Sequence, residues 1–172
     1  MNYKFLKYIP ALIVSIIWGT TFVISKSILE AGVSPFQLIF CRFLMAYIAL
    51  CIICPKPYKM EFSKTELKMF LIALSGGSLY FFLEYSALRL TGATNVSLIC
   101  ATVPIFSALG CIILGTMKLT KKFVFGSLIA LAGVACVVFN GVFVLRLSPL
   151  GDFIAFLSVI SWSIYSVLLT IM

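Results

Sequence analysis

Apolar residues along this chain come in blocks of about 20, the length a helix needs to cross a bilayer. Short polar, basic or proline-containing stretches separate the blocks. Five full blocks read as spans, at roughly 8–29, 35–54, 68–88, 93–115 and 123–143. A sixth begins near Leu150 and is cut by the chain end. Pro35 stands at a favourable first-turn position for the second span, and "CPKP" closes it. The blocks are too long for barrel strands and nothing in them alternates at period two. The first block follows Lys4 and Lys7 but is longer than the apolar region of a signal peptide, and no small-residue cleavage pattern follows, so it reads as an uncleaved span. Residues 56–67 form an amphipathic stretch between spans two and three, placed at the membrane surface.

Composition agrees with the pattern. Hydrophobic residues make up 63% of the 172 and charged residues 10%, against about 45–50% and 25% in soluble domains. Lys and Arg outnumber Asp and Glu by 13 to 5. The basic residues sit in gaps between spans, with no basic helix or aromatic-basic interleaving, so they point to membrane orientation rather than nucleic acid. Lys4, Lys7, Lys56, Lys59, Lys64, Lys68, Lys118, Lys121 and Lys122 fall on one side, against Arg89, Arg146 and Lys26 on the other. The expected arrangement is a multi-pass protein of the plasma (inner) membrane with a cytoplasmic N-terminus.

Chemistry is sparse. No His is present, and five acidic residues are too scattered for a paired-carboxylate or metal site, so an enzyme, a metal and a cofactor are not expected. No Walker-type phosphate loop occurs, which argues against ATP-driven work. The six cysteines lie in apolar runs and read as core filler; Cys51-x-x-Cys54 has the spacing of a redox or metal pair but lacks a second pair.

An internal repeat changes the picture. "ALIVSIIWGTTFV" (11–23) aligns with "AFLSVISWSIYSV" (155–167) at a constant offset of 144 residues. Ala11, Ile16, Trp18 and Val23 meet Ala155, Ile160, Trp162 and Val167, and these are the two tryptophans of the chain. A copy of five spans is odd, so a second copy must run through the membrane inverted, as in secondary transporters. A complete pair would need about 290 residues. The chain is therefore expected to be the first half of an inverted-repeat, all-α ten-helix transporter: five full transmembrane helices plus a truncated sixth. Residues 8–143 form the first repeat and 150–172 the first helix of a second.

Five segments carry a resemblance in order: "SIIWGTTFVISK", "SPFQLIFCRFLMAYIAL", "YSALRLTGATNVSLICATVPIFSAL", "GSLIALAGVACVV" and "GDFIAFLSVISWSIYSVLL". The chain resembles the EamA-like members of the drug/metabolite transporter superfamily. That resemblance implies two five-helix repeats, cytoplasmic termini and secondary movement of small metabolites. One departure is "GTMKLT", where Met117 stands in place of the Glu of the family's "GEKLT".

Candidate transport residues follow from the cost of polar groups in lipid. Arg42 and Glu84 lie at similar depth in the outer third of spans two and three. They pair, snorkel to headgroups, or line a cavity in which Arg42 attracts a polar substrate and Glu84 binds a proton or cation. Tyr80 shares a helix face with Glu84, whereas Tyr85 is expected to point elsewhere. Trp18 sits mid-span, lining a cavity or simply packing. Asn95, with Thr94 and Ser97, either binds ligand or caps helix four. Pro104 predicts a kink in span four, which marks a binding region or is purely structural. Gly76 and Gly77, and Gly126, Ala130 and Gly133, read as close-packing positions. The expected partners are the lipid bilayer, a small-molecule substrate, and a second copy or a C-terminal half. The alternative is a non-transporting remnant or an accessory membrane protein.

Overall fold

The computed structural model describes residues 8–55, 63–139 and 148–172, all of them in helices and their connections. Helix α1 runs Ile9–Glu30 and α2 Pro35–Ile53. Helix α3 covers Lys64–Leu90 and α4 Ala93–Ile113. Helix α5 runs Lys121–Phe139 and α6 Pro149–Thr170. Among the described residues, segments of α1, α2, α3, α4 and α6 are long and apolar enough to cross a membrane. The α5 helix is 19 residues long; the end of that expected span, 140–143, lies outside the described residues. So do Lys4, Lys7, Lys56, Lys59 and Arg146, and residues 56–62 of the amphipathic stretch.

Local signals set the boundaries. Ser34 caps α2 in a reciprocal capping box with Gln37: the Gln37 backbone N–H donates to Ser34 Oγ at 3.2 Å, and the Ser34 N–H to Gln37 Oε1 at 2.9 Å. Pro35 takes the first turn, as expected. Ser63 caps α3 by accepting from the Glu66 N–H, so this helix begins at Lys64 rather than near 68 and carries Lys64 and Lys68 in its first two turns. Gly32 and Gly115 adopt φ +98° and +71° where α1 and α4 end, a conformation glycine takes without a side-chain clash.

Two helices are interrupted. In α3, residues Leu74–Leu79 form a π-helical segment between the α-helical pieces Lys64–Ala73 and Tyr80–Leu90. Gly76 and Gly77 lie inside it. The break in α4 falls between Ala93–Cys100 and Val103–Ile113. Pro104 opens the second piece, and the Thr102 hydroxyl donates to the Ile99 carbonyl at 2.6 Å. The kink expected from Pro104 is present, because the ring removes an amide donor and crowds the preceding turn.

Helix α6, expected to be cut short, is 22 residues long, and it packs between α3 and α4. Ala155, Ser158, Val159, Ser161, Ser163 and Val167 are buried along it. Small residues let it approach. A Cβ on Gly76 would fall 2.2 Å from Tyr165 Cγ, and one on Gly110 2.6 Å from Val167 Cγ2. The Ser161 hydroxyl donates to the Ser75 carbonyl at 2.7 Å, using an acceptor within the π-helical segment. Packing was expected at Gly76, and there it holds. Gly77 only touches Phe43, and Gly126 and Gly133 of α5 have open space within 4 Å. A groove through Pro104, Gly126 and Ala130 separates α5 from α4 there instead of a tight contact.

The core gathers Leu29, Tyr85, Ala87, Leu88, Val96 and Ala155. The outer faces are strongly apolar: Phe40, Ile52 and Ile53 of α2 are 67–76% exposed. Such surface is costly in water but neutral in hydrocarbon. The cysteines differ from the core-filler expectation. Cys41, Cys51, Cys54 and Cys136 are exposed on outer helix faces, and Cys100 and Cys111 are half-buried. In lipid an outward thiol loses nothing relative to a buried one, so an apolar run does not fix which way a Cys points.

Candidate functional site

A cavity of about 690 Å³ opens between α1, α4 and α6, with Tyr80 of α3 in its wall. Trp18 and Phe22 come from α1, Cys100 and Pro104 from the two sides of the α4 break, and Trp162 from α6. Ser15, Ser97, Ser107 and Ser166 also line it. The Ser107 Oγ is buried without a hydrogen-bond partner. The broken helix thus does what a continuous one would not: it brings irregular backbone to the edge of a cavity at membrane depth.

Behind Trp18 and Tyr80 lies a narrow crevice, also lined by Thr21, Arg42, Phe81 and Glu84. Four of the six sequence-derived candidates, Trp18, Arg42, Tyr80 and Glu84, therefore meet in one place. Pro104 lines the adjoining cavity. Glu84 is only 3% exposed, in polar contact with the Tyr80 hydroxyl one turn earlier, with the Arg42 guanidinium near enough to act on it.

Of the alternatives left open for Arg42, direct hydrogen bonding to Glu84 is not what holds it. Its Nη1 donates to the Tyr85 hydroxyl at 2.7 Å, and its guanidinium lies over the Phe81 ring, 4.4 Å from the centroid. Tyr85, expected to point elsewhere, is 1% exposed and is the Arg42 partner. The available signal was Phe81 and Tyr85 at i, i+4, an aromatic stripe facing the helix that carries Arg42.

Asn95 lies outside both spaces. It is 6% exposed, and its Nδ2 donates to Asp152 Oδ1 and Thr91 Oγ1, each at 3.2 Å. The N-cap position of α4 is Gly92, without a side-chain cap, so Asn95 ties α4 to α6 rather than capping its own helix. Asp152 and Thr91 were not singled out from the sequence. A lone Asp in the first turn of a span reads as a helix-terminus charge until its neighbour is known.

Aromatic rings cross the centre. Trp18 and Trp162 meet edge to face with centroids 5.5 Å apart and planes at 81°. Trp162 also contacts Tyr80 and Tyr165, at 4.6 and 5.1 Å. On its other side a second cavity of about 660 Å³ is bounded by Phe43, Met69, Gly76, Tyr165 and Met172. Trp162 borders both cavities. Among the described residues no three His, Cys, Asp or Glu side chains come together as a metal-binding group.

Comparison with known proteins adds a family. The model of the EamA-like transporter family matches residues 6–139. A protein of Archaeoglobus fulgidus described as an uncharacterized transporter is 29% identical over 157 residues, covering 89% of this chain. The chain spans about half, 53%, of that curated relative's length. No solved structure gives a significant match.

Proposed function

Because the chain belongs to the EamA-like transporter family, we propose that it works as a secondary transporter, moving a small metabolite or drug across the membrane by alternating access. The observation that carries this reading is the aromatic-walled cavity with the buried Glu84 carboxylate behind Tyr80. A buried acid in a membrane span is costly unless it is used or paired; Arg42 lends Glu84 its field but directs its Nη1 hydrogen bond to Tyr85. Glu84 is thus the group that binds a proton or cation, and its loading is coupled through Tyr80 to the cavity wall. Trp18 and Trp162 grip the substrate edge, the Pro104 break supplies polar backbone, and Arg42 sets the field around Glu84.

The Trp18–Trp162 contact supports the inverted repeat. Residues at equivalent positions of two inverted copies meet only where they flank the pseudo-twofold axis in the membrane plane. On this reading residues 8–143 are the first repeat, 150–172 open the second, and a C-terminal half or a second copy completes the transport path. The N-terminus is cytoplasmic and the membrane is the plasma membrane.

The test is flux in proteoliposomes. A panel of small metabolites and organic cations is offered under an imposed pH gradient, with proton movement read by an internal pH dye. Glu84→Gln should abolish coupled flux while leaving membrane insertion intact. Flux that is unchanged in this variant removes Glu84 from the mechanism. An absence of flux from the parent chain favours the accessory role instead.

A further inference from the structure

One end of the bundle is tied together by a polar cluster; the larger cavity lies mid-bundle beyond it and the second toward the other end. At the tied end, Lys26 of α1 donates through Nζ to the carbonyls of Leu88 and Thr91, at 2.6 and 3.2 Å, where α3 finishes. Thr91 is 5% exposed. Its hydroxyl donates to Asp152 Oδ1 of α6 at 3.0 Å and accepts from Asn95 Nδ2 of α4 at 3.2 Å. Asp152 Oδ2 accepts the Ser148 backbone N–H at 3.2 Å. Packing reinforces the ties: a Cβ on Gly151 would lie 2.9 Å from Thr91 Cβ. Four helices therefore converge on a single threonine. At the opposite end the cavity linings include Ser107, Ser166 and Met172, near the C-termini of α4 and α6. There the Thr170 hydroxyl donates to the Ser166 carbonyl of its own helix.

We propose that the Lys26–Thr91–Asn95–Asp152 cluster is a latch that holds this end of the transport path closed, with Thr91 as its junction and α6 as the element it releases. The inference rests on the transporter reading above, since a latch implies a state in which it opens. Two of the ties end on Asp152 of α6, so moving the α6 N-terminus away breaks Thr91–Asp152 and Asn95–Asp152 together. The Lys26 ties sit on α3 and survive, which leaves α1 and α3 as the fixed side and α6 as the mobile one. Partly buried hydrogen bonds to a carboxylate suit a latch. They are strong when made, and solvent replaces them once the end opens.

Cys100 lines the larger cavity and reports on closure. Cys41, Cys51, Cys54, Cys111 and Cys136 are replaced by Ala in the full chain. A membrane-impermeant methanethiosulfonate is then applied separately to right-side-out and inverted vesicles. In this parent, Cys100 should react from the side opposite the latch and only slowly from the latch side. Thr91→Val keeps the shape but removes the junction; Asp152→Asn weakens the same ties. Each should raise labelling from the latch side about tenfold or more, the effect of losing one to two buried hydrogen bonds, while labelling from the other side persists. Thr116→Val, at the far end, should leave the latch-side rate at the parent value.

No rise in either latch variant overturns the proposal. An equal rise in Thr116→Val does so too, because it means general loosening. Loss of labelling from both sides in the latch variants also overturns it, making the cluster a folding element. The readout needs no substrate. A chain that carries nothing but shows the sided change keeps the latch and loses the transporter reading, and a chain that transports without the change loses the latch alone.

Discussion

Arg42 rests on a ring and a phenol instead of an acid, and that choice decides what the neighbouring acid is free to do. Tyr85→Phe removes the acceptor 2.7 Å from Nη1 and leaves a half-buried guanidinium short of a partner. The expected loss of stability is about 1–3 kcal/mol, seen as a lower thermal unfolding midpoint in detergent, with substrate affinity little changed. A large affinity change at constant stability would instead make Arg42 a direct substrate contact. Trp18, Arg42 and Glu84 stood out in the sequence because each is an expensive or unusual group at its depth in lipid, and Tyr80 because it shares a helix face with Glu84. Tyr85, Asn95 and Asp152 were not, since their roles depend on how a neighbouring helix is rotated, and no single helix records that.

The two interrupted helices follow from different local causes. Pro104 announces its break, because the missing amide and the ring act whatever the surroundings. The π-helical segment at Leu74–Leu79 has a weaker sequence signal, the Gly76–Gly77 pair, and its cause is tertiary: α6 presses against it and Ser161 bonds to the Ser75 carbonyl. Two substitutions of the same kind should therefore move in opposite directions. Gly76→Ala drives a methyl into the base of the Tyr165 ring and should cost about 1–3 kcal/mol. Gly126→Ala meets nothing within 4 Å and should add about 0.5–1 kcal/mol by restricting the unfolded backbone. Thermal unfolding of both in one detergent checks the pair. The close-packing reading of the glycines was sound at Gly76 and missed at Gly126 and Gly133, because small residues permit an approach without naming who approaches.

At the scale of the molecule, the helical class and the approximate place of each helix were open to view in the hydropathy blocks, whose length the bilayer dictates; the start of α3 at Lys64 and the full length of α6 were not. How the helices pack was not, above all the placement of α6 among its predecessors. The orientation can be checked directly. In a chain lacking native cysteines, Cys placed at Ser63 or Thr120 should react with an impermeant reagent from the cytoplasm, and Cys placed at Gly32 or Ser148 from outside. The reverse result would turn the molecule over.

The position of α6 also bears on how the chain comes together. Five helices precede it out of the ribosome, yet the slot between α3 and α4 is shaped for it, floored by Gly76 and Gly110. Until those 22 residues arrive, that slot must hold lipid, and the Ser75 carbonyl must do without its hydroxyl. Assembly of the first five helices thus waits on a sixth, and a nascent chain halted before Pro149 should be the form that membrane quality control recognises first.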